Sequence, residues 1–534
     1  MRPRFAAQEA AASRSLPDGK DSSSSTSTSS NNRDEFPASL RGKRILLATE
    51  SLGPVNGVSR TTLSLIEYLR AHGVELAVVA PRYEQKGRRQ QVATTTTSSS
   101  SASTSAPESE VRLHGYPLPY NPDLTVVYPF RFDRVCQRTF NPDIVYLASP
   151  ASVGFQFLWQ IRQLQEPPVV LLNFQTDLSA YSEILLPGVL GRFAVWLLGA
   201  VQGFLFSHPS VDTIFYPCSD IRRYLEKAGA PRNRLVHLGR GVDTVLFNPS
   251  RRDEVYRREL APNGETILVC VCRIAPEKGF EFLAQVAARL VQESFPFKLL
   301  IVGGNRNPAV VDDVRRLFEP VRDHVIFTGF LTGEPLARAY ASGDVFLHCS
   351  ITETFGLVVL EAMASGLPVI ARDQGGPSDI VRHGKTGYLV PPHDLDEFVR
   401  LALQVSRQDD LRSTLSTGAR EYADETTWEK INRRVAWHLI DGLENHRRRL
   451  QAKREKKRPI RNWLVARYHA FEHGVVWPLL EQLRLNAAIG FVFIMWMIAV
   501  VPLIVHGSRI FRGTGSLLYS IPMMFQAQTS RHLK

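Results

Sequence analysis

From Lys43 onward the apolar positions fall into two alternating patterns. Short continuous apolar runs, bounded by Gly, Pro, Asn or Ser, predict buried parallel strands, and the longer intervals between them predict helices. RILLAT (44–49) and VELAVVAP (74–81) open one series, and PDIVYLAS, PVVLLNFQ and TIFYPCS carry it to about residue 219. A Gly/Pro/Asn loop (50–58) leads from the first strand into a helix beginning near Ser59. A second series starts at TILVCVCRI (266–274) and continues through FKLLIVGG (297–304), HVIFTGF (324–330), DVFLHCS and LPVIAR. This alternation predicts an α/β protein with two Rossmann-like domains. GRGVDTVLFNP (239–249) lies between the two series and predicts the crossing from one domain to the other.

Composition adds the flanks. At 534 residues the chain exceeds a single core. The first forty residues are rich in Ser and Thr, lack an apolar signal region and predict a disordered extension. Residues 86–108 read similarly, as an insertion within the first domain. The net charge of +12 is uneven, with Glu455 the only acid among the many Lys and Arg of 447–467. The uncharged apolar run 487–505 follows, near the roughly 20 residues that a bilayer-spanning helix needs. Basic residues on its N-terminal side predict a single-pass membrane protein with cytosolic domains, on the endoplasmic reticulum or another endomembrane. Pro502 leaves a re-entrant or monotopic segment open, and 462–483 reads either as an interfacial helix or as an ordinary packed one. No aromatic-basic module points to nucleic acid. Cys136, Cys218, Cys270, Cys272 and Cys349 lack zinc spacing and read as thiols of a reducing compartment.

The predicted organisation is therefore an extension (1–42), a first domain (43–247), a second domain (248–427), a linking helix (428–446), a basic segment (447–486), a membrane helix (487–505) and a tail (506–534).

The densest chemistry lies in 340–391. Glu353 and Glu361 stand seven residues apart, with Phe355-Gly356 at the mouth of the helix that carries the second. Two carboxylates so placed suit a ligand with hydroxyls at its end and phosphates between, as in a sugar nucleotide. Arg273 and Lys278 project from one loop, RIAPEKGF. Gly303 and Gly304 end one strand, and Gly329 ends another, where a backbone can approach a nucleotide. GPVNGVSRTTLSL (53–65) is neither a Walker motif nor a dinucleotide fingerprint. Asp394-Leu395-Asp396 reads as a helix cap, and no metal is required.

ETFGLVVLEAMASGLPV closely resembles the E-x7-E donor site of retaining GT-B glycosyltransferases of family four. The resemblance spans about 43–445 and implies an acceptor domain followed by a donor domain, with a linking helix returning to the first. It implies Arg273 and Lys278 on the donor diphosphate, Glu353 on sugar hydroxyls and Glu361 on the ribose. Phe355 and Gly356 would offer backbone N–H groups, and Gly57 and Asn56 would lie near the diphosphate and acceptor. NFQTDLSAY resembles a segment in which relatives carry His where Gln175 stands; Gln175, Asp177 and Tyr181 are acceptor-side candidates. Arg240 and Asp243 either serve the site or fix domain geometry.

The implied reaction is metal-independent hexosyl transfer, with retention, from a UDP- or GDP-linked sugar. GEPLARAYASGDVF (333–346) looks most like the branch of glycolipid mannosyltransferases and sulfoquinovosyl-diacylglycerol synthases, which implies a lipid or glycolipid acceptor. Two alternatives stay open: a phosphatidylinositol N-acetylglucosaminyltransferase-like enzyme and a catalytically silent membrane scaffold.

Overall fold

Val, Ile and Leu crowd the strand runs, and the computed structural model folds them into two parallel sheets with helices on both faces. It describes residues 33–52, 57–82, 108–118, 121–175, 189–305, 307–351, 353–456 and 476–512. The first sheet holds β1 (Arg44–Thr49), β2 (Glu75–Pro81), β3 (Glu110–Leu113), β6 (Ile144–Ala148), β7 (Val169–Asn173), β8 (Val211–Tyr216) and β9 (Leu235–His237). Its order is β3-β2-β1-β6-β7-β8-β9. A small hairpin of β4 (Gly115–Leu118) and β5 (Asn121–Val127) lies between β3 and β6 in the chain.

The second sheet holds β10 (Thr266–Val271), β11 (Phe297–Val302), β12 (Val325–Gly329), β13 (Val345–His348), β14 (Val369–Arg372) and β15 (Gly387–Val390), in the order β12-β11-β10-β13-β14-β15. In each sheet the order reverses beside the first strand, between β1 and β6 and between β10 and β13. Such switch points open a crevice at the carboxyl ends of the strands.

The helices that matter to this crevice are α1 (Gly57–Ala71), α2 (Ser152–Ile161), α3 (Val189–Phe206), α4 (Phe280–Gln292), α5 (Leu357–Ala364), α6 (Trp428–Lys456) and α7 (Trp477–Arg512). α6 leaves the second domain and packs Ile431, Val435, Leu439 and Ile440 into the core beneath β1, β6 and β7. The chain thus crosses twice, and the crossings run side by side: the Val242 amide donates to the Thr426 carbonyl at 3.0 Å. A Cβ on Gly241 would run into the backbone of Trp428.

Several expectations need correcting. Phe247 lies in the second core and packs edge-on to Tyr340, so the crossing precedes residue 247. The extension expected to be disordered over 1–42 is packed from Arg33: Leu40 is fully buried, Phe36 stacks on His72, and the Trp437 indole donates to the Glu35 carbonyl. Phe36 and Leu40 are the apolar residues that overrule the polar composition. The insertion at 86–108 lies outside the described residues except for Glu108, which pairs with Arg138. Residues 447–456 continue α6, and α7 begins ten residues before the apolar run. Among the described residues no helix is long and apolar enough to cross a membrane. The membrane helix expected at 487–505 therefore has no support there.

The crowding at Gly241 generates a test. Gly241→Ala should lower stability by about 1–3 kcal/mol through overpacking, read as a fall in Tm. Gly239→Ala, whose added methyl meets only an ordinary contact with Phe355, should change Tm little.

Candidate active site

The switch point of the second sheet carries Lys278 and Glu353. β10 ends in the loop 272–279, and β13 ends in the loop 349–356. Gly279, at the end of the first loop, passes so close to the Cys349 carbonyl that a side chain has no room. This brings the Lys278 Nζ onto Glu353 Oε1, with both side chains mostly buried. Burial opposes both charges, yet their mutual attraction wins: Lys278 is held above the usual lysine range and Glu353 below the usual carboxylate range. Arg273 lies on the same loop but is half exposed and reaches Glu277 at 3.2 Å. Its charge is felt by Glu353 without direct contact.

Glu361 sits on α5, buried. Tyr340 Oη donates to its Oε2 at 3.1 Å, and Arg60 Nη1 on α1 of the other domain donates to its Oε1 at 2.5 Å. Burial pushes the carboxyl up, against the pull of Arg60 and Tyr340. Gly356 precedes α5 with φ +89°, a left-handed turn that aims the helix N-terminus across the cleft. A Cβ on Gly57, the first residue of α1, would come within 3.1 Å of Leu357 Cδ1. The N-termini of α1 and α5 thus meet, an arrangement favourable to an anion.

Beside them lies Arg240, buried. Its Nη1 donates to Thr61 Oγ1 (2.6 Å), Gln175 Oε1 (2.9 Å) and the Gly57 carbonyl (3.4 Å). Burial lowers its pKa to about 10, so it remains a cation at neutral pH. Among the described residues it makes no ion pair. Phe355 lies under its guanidinium, 5.7 Å from ring centroid to Cζ. Arg240 only donates, so Gln175 must turn its oxygen toward it. The Gln175 Nε2 is then buried without a partner among the described residues. Its backbone carbonyl accepts from Thr354 Oγ1 of the second domain at 3.3 Å.

The structure therefore gathers Gly57, Gln175, Lys278, Glu353, Phe355, Gly356 and Glu361 at one cleft. The glycines at the ends of β11 and β12 do something more local. Gly303 (φ +145°) presses on the Cys272 carbonyl, Gly304 packs under Phe330, and the Gly303 amide donates to the Gly329 carbonyl at 2.9 Å. They seat the loop that carries Arg273. Asn56, Asp177 and Tyr181 lie outside the described residues. Asp243 accepts from the Val245 and Leu246 amides and so holds a turn, whereas Arg240 faces the cleft. Asp394 caps its helix by accepting from the Glu397 amide at 3.0 Å. Among the described residues no group of three or more His, Cys, Asp or Glu stands ready to hold a metal ion.

Sequence reasoning missed Arg60, Tyr340 and Glu50. Arg60 follows Gly57 by one helical turn, so it shares the loop's outlook, but nothing in the sequence named Glu361 as its partner. Glu50, at the end of β1, accepts from the Ala151, Val153 and Gly154 amides and from Ser152 Oγ. It fixes the N-terminus of α2 to the strand from which the Gly57 loop departs.

A crevice between two facing Rossmann-like domains, lined with cations and acids, defines a two-domain transferase. Residues 56–241 match the profile "Glycosyl transferase 4-like domain", and 265–408 match "Glycosyl transferases group 1". A GDP-mannose-dependent alpha-mannosyltransferase of Mycolicibacterium smegmatis is 39% identical over 361 residues, covering 66% of this chain and 85% of that protein. The sulfoquinovosyl transferase SQD2 of Arabidopsis thaliana is 32% identical over 350 residues, 63% of each chain. The solved structure of Anabaena Alr3699/HepE with UDP superposes with a TM-score of 0.56 at 16% identity, over 74% of this chain and 100% of the other, and shows the shared fold. The chain belongs to the group 1 glycosyltransferases, family four of the GT-B enzymes, and it is a hexosyltransferase.

The ion pair generates a stability test. Removing one partner alone, as in Lys278→Met, should cost about 3 kcal/mol by stranding the other charge, whereas Lys278→Met with Glu353→Gln should recover most of it. The margin of wild type over the double variant should be full between roughly pH 5 and 10. It should shrink as pH falls through the depressed pKa of Glu353, and as pH rises through the raised pKa of Lys278. Urea titrations of the full chain across pH read both effects.

Proposed function

We propose that this enzyme moves a hexose from a nucleotide-sugar donor to a lipid or glycolipid acceptor, with retention at the anomeric carbon and without a metal ion. One observation supports this most: the buried Arg240, which makes no ion pair among the described residues and feels only the charge of Glu353 from the Lys278–Glu353 pair, at the meeting of two helix N-termini. A buried cation lacking an anion is costly, and a diphosphate supplies the anion. The likeness to GDP-mannose-dependent mannosyltransferases favours GDP-mannose as donor.

In the proposed step the bond from the anomeric carbon to the leaving phosphate oxygen breaks. The acceptor oxygen bonds to the same face of that carbon, and its proton passes to the leaving phosphate. The protein then supplies charge rather than a base. Arg273, Lys278 and Arg240 stabilise the departing diphosphate. Gln175 cannot titrate, but its spare Nε2 suits a sugar hydroxyl. Glu353 would hold hydroxyls of the transferred sugar. Glu361 would exchange Arg60 for the ribose, so donor entry and domain contact share one carboxylate. Closure about the crossings at 239–242 and 426–428 would exclude water from the donor. A lipid acceptor places the cleft beside a membrane, on the cytosolic side, where the donor is dissolved.

Transfer from labelled GDP-mannose, UDP-glucose or UDP-GlcNAc to membrane lipid tests this directly. GDP-mannose should label a lipid, and Arg273→Ala or Lys278→Ala should lower kcat/KM by at least about a hundredfold. Equal inactivity of wild type and Lys278→Ala with every donor would favour a scaffold. Label from UDP-GlcNAc alone would reassign the donor.

A further inference from the structure

α7 does not stand away from the first domain as a spanning helix would. Gln165 donates its amide to Glu481 Oε2 at 3.3 Å, and Arg131 Nη1 donates to Asn486 Oδ1 at 2.9 Å. Phe491 stacks on Trp159 of α2 at 4.4 Å, and Trp496 lies against Tyr128 at 5.3 Å. From Glu481 to Trp496 the helix therefore lies along the domain for about 24 Å at 1.5 Å per residue. Beyond Trp496 only residues 497–505 of the apolar run remain, about 14 Å of helix against a hydrocarbon core of about 30 Å. A span over 487–505 would drag the packed face of the domain into lipid.

The outward face of α7 is nevertheless apolar. Leu485, Ala488 and Val492 form the buried stripe against the domain. On the other side Leu479, Leu483, Phe493 and Ile494 are each more than half exposed. α3 lies beside it. Trp159 bridges the two helices, with Phe204 of α3 at 5.8 Å and Phe491 of α7 on it. α3 presents Trp196 (65% exposed) and Phe204 (49%) two helical turns apart on one face. Over 487–505, past the polar positions Glu481, Gln482, Arg484 and Asn486, α7 is apolar all round, a pattern otherwise met in a core or a bilayer.

The edge of this patch is cationic. Arg162 lies over Phe204 at 3.9 Å, and Arg234 donates to the Phe206, Ser207 and His208 carbonyls at the end of α3. Arg449 near the end of α6 pairs with Asp212 just after that end, Arg448 pairs with Glu444, and Arg447 is exposed beside them. Apolar faces rimmed by arginines complement anionic lipid headgroups over acyl chains.

We propose that α3 and α7 form one docking surface that seats the first domain on an anionic bilayer, with α7 lying along the membrane and not crossing it. This inference stands on the first domain and holds whichever acceptor the cleft takes. α3 follows the cleft residue Gln175 after only the segment 176–188, so docking brings the cleft close to the lipid surface.

The test uses the full chain with vesicles of phosphatidylcholine, alone or mixed with phosphatidylserine. The expected result is strong co-sedimentation with the mixed vesicles and weak co-sedimentation with phosphatidylcholine alone. Trp196→Glu with Ile494→Glu should weaken partition at least about tenfold, with heat capacity transitions and GDP binding as in wild type. A tag after Lys534 should stay open to external protease on sealed microsomes. A protected tag, unchanged partition of the double variant, or wild-type protein that ignores anionic vesicles would each overturn the proposal.

Discussion

Charge buried where two parallel sheets face each other is the constraint on which this molecule rests. Lys278 and Glu353 stay ionised because each is the other's partner, and Glu361 is held by Arg60 from across the cleft. Among the described residues Arg240 bonds neutral acceptors only, with the charge of Glu353 acting from a distance. Buried charges demand compensation of several kcal/mol. In the proposed function a diphosphate adds to the compensation the domains supply, which would link domain position to donor binding.

Topology explains why those residues meet. Both sheets reverse their order beside their first strand, and both crevices open at carboxyl ends. The second sheet delivers Lys278 and Glu353 from adjacent strands. The first delivers the loop ending at Gly57 and, from β7, Gln175. Two close-running crossings, pinched at Gly241, connect the halves. Beyond them, α6 packs into the core of the first domain and registers the two halves. The apolar surface of α3 and α7 lies on the first domain.

The strand runs were legible because fully buried parallel strands are continuous in Val, Ile and Leu. The E-x7-E frame was legible because its glycine, phenylalanine and glutamates are local in sequence. Partners across the cleft were not. Arg60 and Glu361 are joined by folding alone, and Tyr340 reads as one more core aromatic. Gly375 and Gly376 press on the backbone of Glu353 and Phe355 and hold that loop, a contact made by folding and not by sequence neighbourhood. Phe36 and Leu40 were hidden by the polar composition around them. The apolar run of 487–505 was plain, but hydropathy carries no sign of the flat face of α2 against which its first half packs.

The central claim is that a nucleoside diphosphate supplies the anion that Arg240 lacks, beside the Lys278–Glu353 pair. Calorimetric titration of GDP into the full chain tests it most directly. The account predicts saturable exothermic binding that weakens as salt rises and is lost in Lys278→Met with Glu353→Gln. Well-folded wild-type protein giving no heat with GDP or UDP would contradict it.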